Sequence, residues 1–137
     1  MRTKTLLLFV FLLTGMAFSQ QGGTGRISFK QITQLMELPT QQVIGEVLKE
    51  MGNEFSSDSD FKKGDEQFRI VADPATGTAT YNEPPATKQR RDEIKSQAIA
   101  AGLKVEREQG LRYVRLKGNN YSVVINGDGS IEIKKLK

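Results

Sequence analysis

Three glutamates near the C-terminal end, Glu106, Glu108 and Glu132, come nearest in type and spacing to a reactive centre. Two carboxyl groups held at a fixed separation are enough for a glycoside hydrolase. If the residues from Leu103 onward form a strand, Glu106 and Glu108 share one of its faces, and Glu132 on a neighbouring strand can join them. Each also has a cation within reach in Lys104, Arg115 or Lys134, so surface ion pairing accounts for all three. The chain has no His, no Cys and no Trp. That excludes thiolate nucleophiles, Ser-His-Asp triads and sites built from imidazole or thiolate ligands.

Asp58, Asp60, Asp65 and Glu66 invite a calcium reading. Counted from Asp58, however, Lys62 stands at the fifth position, where an oxygen ligand is needed, and Arg69 stands at the twelfth in place of Glu. Gly22-Gly23-Thr24-Gly25 does not lie between a strand and a helix, so it is no phosphate loop. No catalytic, cofactor-binding or metal-binding residues are expected. Lys88, Arg90, Arg91 and Lys95 form a basic run that could attract a polyanion. With Asp92 and Glu93 among them, they read as the solvated outer side of a helix. The remaining candidates are Tyr113, Arg115, Lys117 and Val124, which alternation places on one side of a sheet. Aromatic and Arg side chains on such a surface have the composition of protein-interface hot spots.

The elements that position these residues follow from periodicity. Leu103 and Val105, Val114 and Leu116, Tyr121, Val123 and Ile125, and Ile131 and Ile133 alternate between turn signals at Gln109-Gly110, Gly118-Asn119-Asn120 and Gly127-Asp128-Gly129. Period-two alternation predicts a four-stranded antiparallel meander with one apolar face. A two-residue turn at Gln109-Gly110 sets Val105 opposite Val114, Leu103 opposite Leu116, and Arg107 opposite Arg112. The last pair is unfavourable unless an acid sits nearby. The last hairpin sets Ile125 opposite Ile131 and Val123 opposite Ile133. Lys104, Glu106, Tyr113, Arg115, Lys117, Ser122, Val124, Glu132 and Lys134 fall on the wet face.

Earlier in the chain, Ser28 and Gln31 match a capping box, with Ile27 and Ile32 as its staple. Phe29, Ile32, Leu35 and Met36 then recur at helical spacing until Pro39 stops the helix near Glu37. Thr40 caps a second helix with Val43, Ile44, Val47, Leu48 and Met51 on one stripe, closed by Gly52. Phe55 is expected to fold back on the core. Ser56 to Glu66 reads as a solvated loop, and Gln67 to Asn82 as a hairpin that extends the sheet. Pro84-Pro85 opens a third helix with Ile94, Ala98 and Ala101 inward and Gly102 at its end. No convincing repeat is evident, although helix followed by hairpin occurs twice. The fold class is α+β: one antiparallel sheet with three helices packed on one face.

The first residues read as an export signal. Arg2 and Lys4 precede an apolar run from Leu6 to Leu13 that is too short to span a bilayer, and Ala17-Phe18-Ser19 fits signal peptidase. The expected organisation is a signal peptide over 1–19, a loose tail over 20–26 and one domain over 27–137. The mature form would then have no membrane span and would be secreted or periplasmic. Of the 137 residues, 20 to 87 carry six basic and ten acidic side chains, and 88 to 117 carry nine and four. This is an acidic half followed by a basic one, with too little net charge to favour nucleic acid as the partner.

Thr40-Gln41-Gln42-Val43 through Val47-Leu48 to Met51-Gly52, followed by Phe68-Arg69-Ile70-Val71, resembles the two-helix-then-sheet opening of the beta-lactamase-inhibitor-like and outer-membrane-assembly lipoprotein family. The resemblance covers roughly Ile27 to Tyr81 and implies a protein that works by binding other proteins. The chain departs from that family in having no Cys to lipidate and in the helix and meander after Tyr81, so no site residues carry over. The expected function is a small exported, non-enzymatic protein-binding module of the bacterial cell envelope. Its partner would be another envelope or extracellular protein. The alternative is a small-ligand carrier or carboxylate-based hydrolase with a pocket between helices and sheet.

Overall fold

A computed structural model describes residues 26–109 and 113–136. The expected signal peptide, most of the expected tail, and the turn residues 110–112 lie outside them. Three helices, α1 (Phe29–Met36), α2 (Gln41–Glu50) and α3 (Lys88–Ala100), pack on one face of a single antiparallel sheet. The strands are β1 (Glu54–Phe55), β2 (Asp60–Lys63), β3 (Glu66–Asp73), β4 (Thr78–Glu83), β5 (Lys104–Gln109), β6 (Tyr113–Lys117), β7 (Tyr121–Ile125) and β8 (Ile131–Lys135). They lie in the order β1-β2-β3-β4-β8-β7-β6-β5. Among the described residues no helix is long and apolar enough to cross a membrane.

The order is that of two meanders joined where β4 pairs with β8. Each meander follows a helix, so the structure contains a repeat of elements that the residues scarcely record. Aligned on Gly52 and Gly102, Ile44 falls on Ile94, Leu48 on Ala98 and Met51 on Ala101. Both glycines take positive φ, +92° and +101°, and end their helices in the same way. The Asn53 N–H donates to the Leu48 carbonyl, and the Leu103 N–H to the Ala98 carbonyl. A left-handed residue at this point turns the chain from helix into first strand, and only glycine adopts it without a Cβ clash.

The helix caps form as their residues dictate. Ser28 Oγ accepts from the Gln31 N–H while the Gln31 side chain accepts from the Ser28 N–H. Thr40 and Thr87 each accept from the N–H three residues on. Thr87, not the Pro84-Pro85 pair, therefore starts α3. Inward residues line up in rows across the sheet, and one long row is Ile70, Tyr81, Ile133, Val123, Leu116 and Val105. The first five are buried, and α1, α2 and α3 cover them with Ile32, Leu35, Ile44, Leu48 and Ile94. On the N-terminal half, rings form a ladder. Phe55 meets Phe61 edge-on, Phe61 stacks on Phe68, and Phe68 tilts against Tyr81, with centroids 5.2, 5.8 and 5.4 Å apart.

Several expectations need correction. Ser56 to Glu66 is not all loop: Phe61 belongs to the core and draws Asp60–Lys63 into the sheet as β2. Phe55 reaches the core only with one edge of its ring and stays 53 % exposed. Ala101 is exposed, and the inward stripe of α3 is Arg90, Ile94 and Ala98. Val105 lies opposite Leu116 rather than Val114: Gln109 already pairs with Tyr113, three positions off the expected register, and a bulge between Val105 and Arg107, which inserts a residue into β5, takes back one. Leu103 packs instead on Gly118, where an added Cβ would lie 3.1 Å from its Cγ. Close approach, not a left-handed backbone, requires that glycine. The last hairpin has the expected register, Val123 opposite Ile133 and Ile125 opposite Ile131.

Truncation should cost stability according to position in the long row. Ile133→Ala, at the seam, should lose about 2–5 kcal/mol by urea denaturation, and Val105→Ala, at the open end, under about 1 kcal/mol.

Candidate functional site

Two constellations of polar side chains stand out: one buried at the seam, the other spread over the helix-free face. The first is held by β4 and α3. Alternation that puts Ala79 and Tyr81 inward puts Glu83 inward too, and its side chain is 0 % exposed. Helical spacing that buries Ile94 and Ala98 buries Arg90 one turn earlier, at 1 %. The guanidinium grips the carboxylate with two parallel hydrogen bonds, Nε to Oε2 at 3.0 Å and Nη2 to Oε1 at 2.9 Å. Arg90 Nη1 also donates to Glu93 Oε1 at 3.1 Å. The Tyr81 hydroxyl donates to Glu83 Oε1 at 2.6 Å, and Arg26 Nη1 lies 3.7 Å from Glu83 Oε2. Arg90 is thus not on the outer side of its helix. Arg26, at the end of the stretch expected to be loose, is half-buried against the sheet.

Burial is the largest influence on Arg90 and works against its charge, but the hydrogen bonds to Glu83, the charges of Tyr81 and Glu83 and the hydrogen bond to Glu93 together outweigh it and hold the guanidinium protonated above its ordinary range. Burial, and after it the Glu83 charge, pushes the Tyr81 phenol well above the usual tyrosine value. A matching contact closes the other end of the seam. Lys135 Nζ lies 3.3 Å from the Glu37 carboxylate, and the Tyr121 hydroxyl donates to the same carboxylate. Burial and that hydrogen bond raise Tyr121 as well. Both groups of side chains tie a helix to a central strand, the first buried and the second open to solvent.

The second constellation contains the residues expected to form an interaction face. Tyr113, Arg115 and Lys117 alternate along β6, and Val124 lies opposite Arg115 on β7. All four are on the side away from the helices. Tyr113 and Val124 are half-buried, and Arg115 and Lys117 exposed. Two rows cross this face. One runs Asp60, Arg69, Asn82, Glu132, Val124, Arg115, Arg107; the other runs Val71, Thr80, Lys134, Ser122, Lys117, Lys104. Arg107 therefore opposes Arg115 rather than Arg112, and an acid does sit nearby: Glu106 Oε1 is 3.3 Å from Arg115 Nε.

The bulge also separates the glutamates. Glu106 stays on the open face, while Glu108 turns to the helix side and pairs with Lys95 of α3 at 3.1 Å. Glu132 lies 3.9 Å from Lys134. Glu106 and Glu132 share a face but are three strands apart, about 14 Å at ordinary strand spacing. That exceeds the separation a carboxylate pair needs to act on one bond. Among the described residues no group of acids could hold a metal ion. The basic run of α3 is internally occupied as well: Lys88 pairs with Asp92, Arg91 donates to the Ala86 carbonyl, and Lys95 holds Glu108.

No family model, curated protein or solved structure matches this chain. The resemblance at Thr40 to Gly52 therefore brings no site with it. Sequence reasoning missed the Glu83–Arg90 pair, although its signal was present: Glu83 continues the inward alternation of Ala79 and Tyr81, and Arg90 lies four residues before Ile94.

Glu83→Gln or Arg90→Met should each cost about 3–5 kcal/mol, because the partner is left buried and uncompensated, and the double variant Glu83→Leu/Arg90→Met should cost less than either. Chemical denaturation of the three variants checks this. The tyrosines make a separate prediction. Their folded-state values lie above an unfolded value of about 10, so folding favours the neutral phenols. Their contribution is complete below that pH and is lost as pH rises through the folded values. Stability should decline above about pH 10, and Tyr81→Phe/Tyr121→Phe should flatten the decline. A double variant as alkali-sensitive as the parent contradicts it.

Proposed function

We propose that this chain is a small non-enzymatic protein-binding module, exported from a bacterial cell, whose contact surface is the helix-free face around Tyr113, Arg115, Lys117 and Val124. One observation carries the reading. All three helices pack on the opposite face, and no described element covers this one, yet it holds a half-buried ring and a half-buried Val beside Arg115. Apolar and aromatic side chains set among Arg and other charges have the composition of a protein contact. Tyr81, Glu83 and Arg90 satisfy one another in the interior, and Asp60, Glu106 and Glu132 on the open face each lie beside a cation, which supports binding over chemistry. The apolar run at Leu6 to Leu13 supports export, and the partner is then an envelope or extracellular protein.

A photo-crosslinking side chain at position 113 should capture a discrete protein from the cell envelope, while the same group at Lys30, on the exposed side of α1, should not. Tyr113→Ala/Arg115→Ala should weaken binding to that protein at least tenfold. Equal capture from both positions, or an unchanged affinity, contradicts the assignment of the face.

A further inference from the structure

The long core row does not end in a covered residue. Val105, its last member, is 42 % exposed, and Ile99 on the neighbouring α3 is 47 % exposed. The opposite end of the sheet is closed differently: β1 has only two residues and α2 packs against it. β5 has six residues, every one exposed, and its outer backbone groups pair with no strand among the described residues. Such an edge is a template for a further strand.

The side chains of β5 restrict which strand could pair there. On the open side Lys104 opposes Lys117, and one step along Arg107 opposes Arg115. Like charges directly opposite one another destabilise a sheet, and here two such pairs are adjacent. Arg115 has Glu106, but Lys104, Lys117 and Arg107 pair with no carboxylate among the described residues. A shallow concavity lined by Gly102, Lys104, Glu106, Lys117, Gly118 and Asn119 adjoins the first pair.

We propose that β5 accepts a ninth strand from a partner protein, an extended segment that alternates acidic and apolar residues. Side chains on one face of a strand recur every second residue, about 6.7 Å apart. Acids at that interval would fall beside Lys104 and Arg107 and continue the two rows with the opposite charge. The apolar residue between them would fall beside Val105, on the helix side, and cover the row's open end together with Ile99. The charges and bulge that make β5 a poor template for an arbitrary edge make it a selective one for this pattern. The inference rests on the reading of the chain as a protein-binding module but places this contact at the edge rather than on the face.

The test is a titration of the 15N-labelled protein with two capped peptides, Thr-Glu-Val-Glu-Val-Glu-Thr and its Lys-for-Glu counterpart, followed by NMR. Backbone amides of Lys104 to Gln109 should shift with the acidic peptide, which should bind at least tenfold more tightly than the basic one. Lys104→Glu/Arg107→Glu should reverse the preference, with an unchanged thermal midpoint showing that the variant is folded. Equal affinity for the two peptides, or no shift at millimolar acidic peptide, overturns the proposal. So does tighter binding of heparin or an oligonucleotide through Lys104 and Arg107. Shifts confined to Tyr113, Ser122 and Val124 overturn the edge and leave the face standing. A β5 response without specific crosslinking from position 113 does the reverse.

Discussion

The pairing of β4 with β8 is the constraint on which the remainder of the structure depends. It joins two meanders that would each be a small sheet with an unprotected edge, and it does so at the centre, where Tyr81 faces Ile133. Hydrogen bonds of a ladder are individually modest and not selective. Selectivity comes from what sits above the seam. Glu83 on β4 can be buried only if Arg90 lies over it, and Arg90 can lie there only if α3 crosses the sheet at one position. Burying the two charges gives little net stability, but a misplaced helix would leave one of them stranded, which costs several times more. The pair therefore sets where α3 docks more than how strongly it docks. Lys135 and Glu37 also meet at the other end of the seam, but Glu37, just past the end of α1, is exposed, so that contact fixes α1 far less strictly.

This arrangement explains why one face is left bare. With α1, α2 and α3 all placed by contacts on the inward rows, nothing in the described chain remains to cover the other side. The open face is not uniform. Over β2 to β4 its charges compensate, as Asp60 with Arg69 at 3.3 Å. Over β5 to β8 it carries Lys104, Arg107, Arg115, Lys117 and Lys134 against Glu106 and Glu132. The basic excess is concentrated at one edge of the sheet, the same edge where the core row ends in partly exposed apolar residues.

Much of this was legible in the residues. The caps at Ser28 and Thr40, the stop at Pro39, the glycines that end α2 and α3, and the register of the last hairpin each follow from local chemistry, and local chemistry is unambiguous there. The open-face residues were legible for the same reason, since alternation assigns faces without knowledge of the partner strand. The failures share a different cause. β2 has a single buried residue, Phe61, too few to show a period. The bulge in β5 is set by what Leu103 and Val105 must reach, namely Gly118 and Leu116, and no local pattern marks it. Arg90 and Glu83 obeyed their periodicities, but charge argued for the surface; only their proximity across the β4–α3 connection makes burial tolerable. The repeat is hidden because the two units keep the same turn glycine and inward positions while exchanging nearly every side chain.

Native-state hydrogen exchange tests the central claim most directly. If the seam organises the fold, the amides of β4 and β8 should exchange only with global unfolding, at the free energy measured by denaturant, while the outer amides of β5 exchange freely. Amides of β4 and β8 that open at a lower free energy than those within either meander would contradict it, and would make the two halves independent units that merely touch.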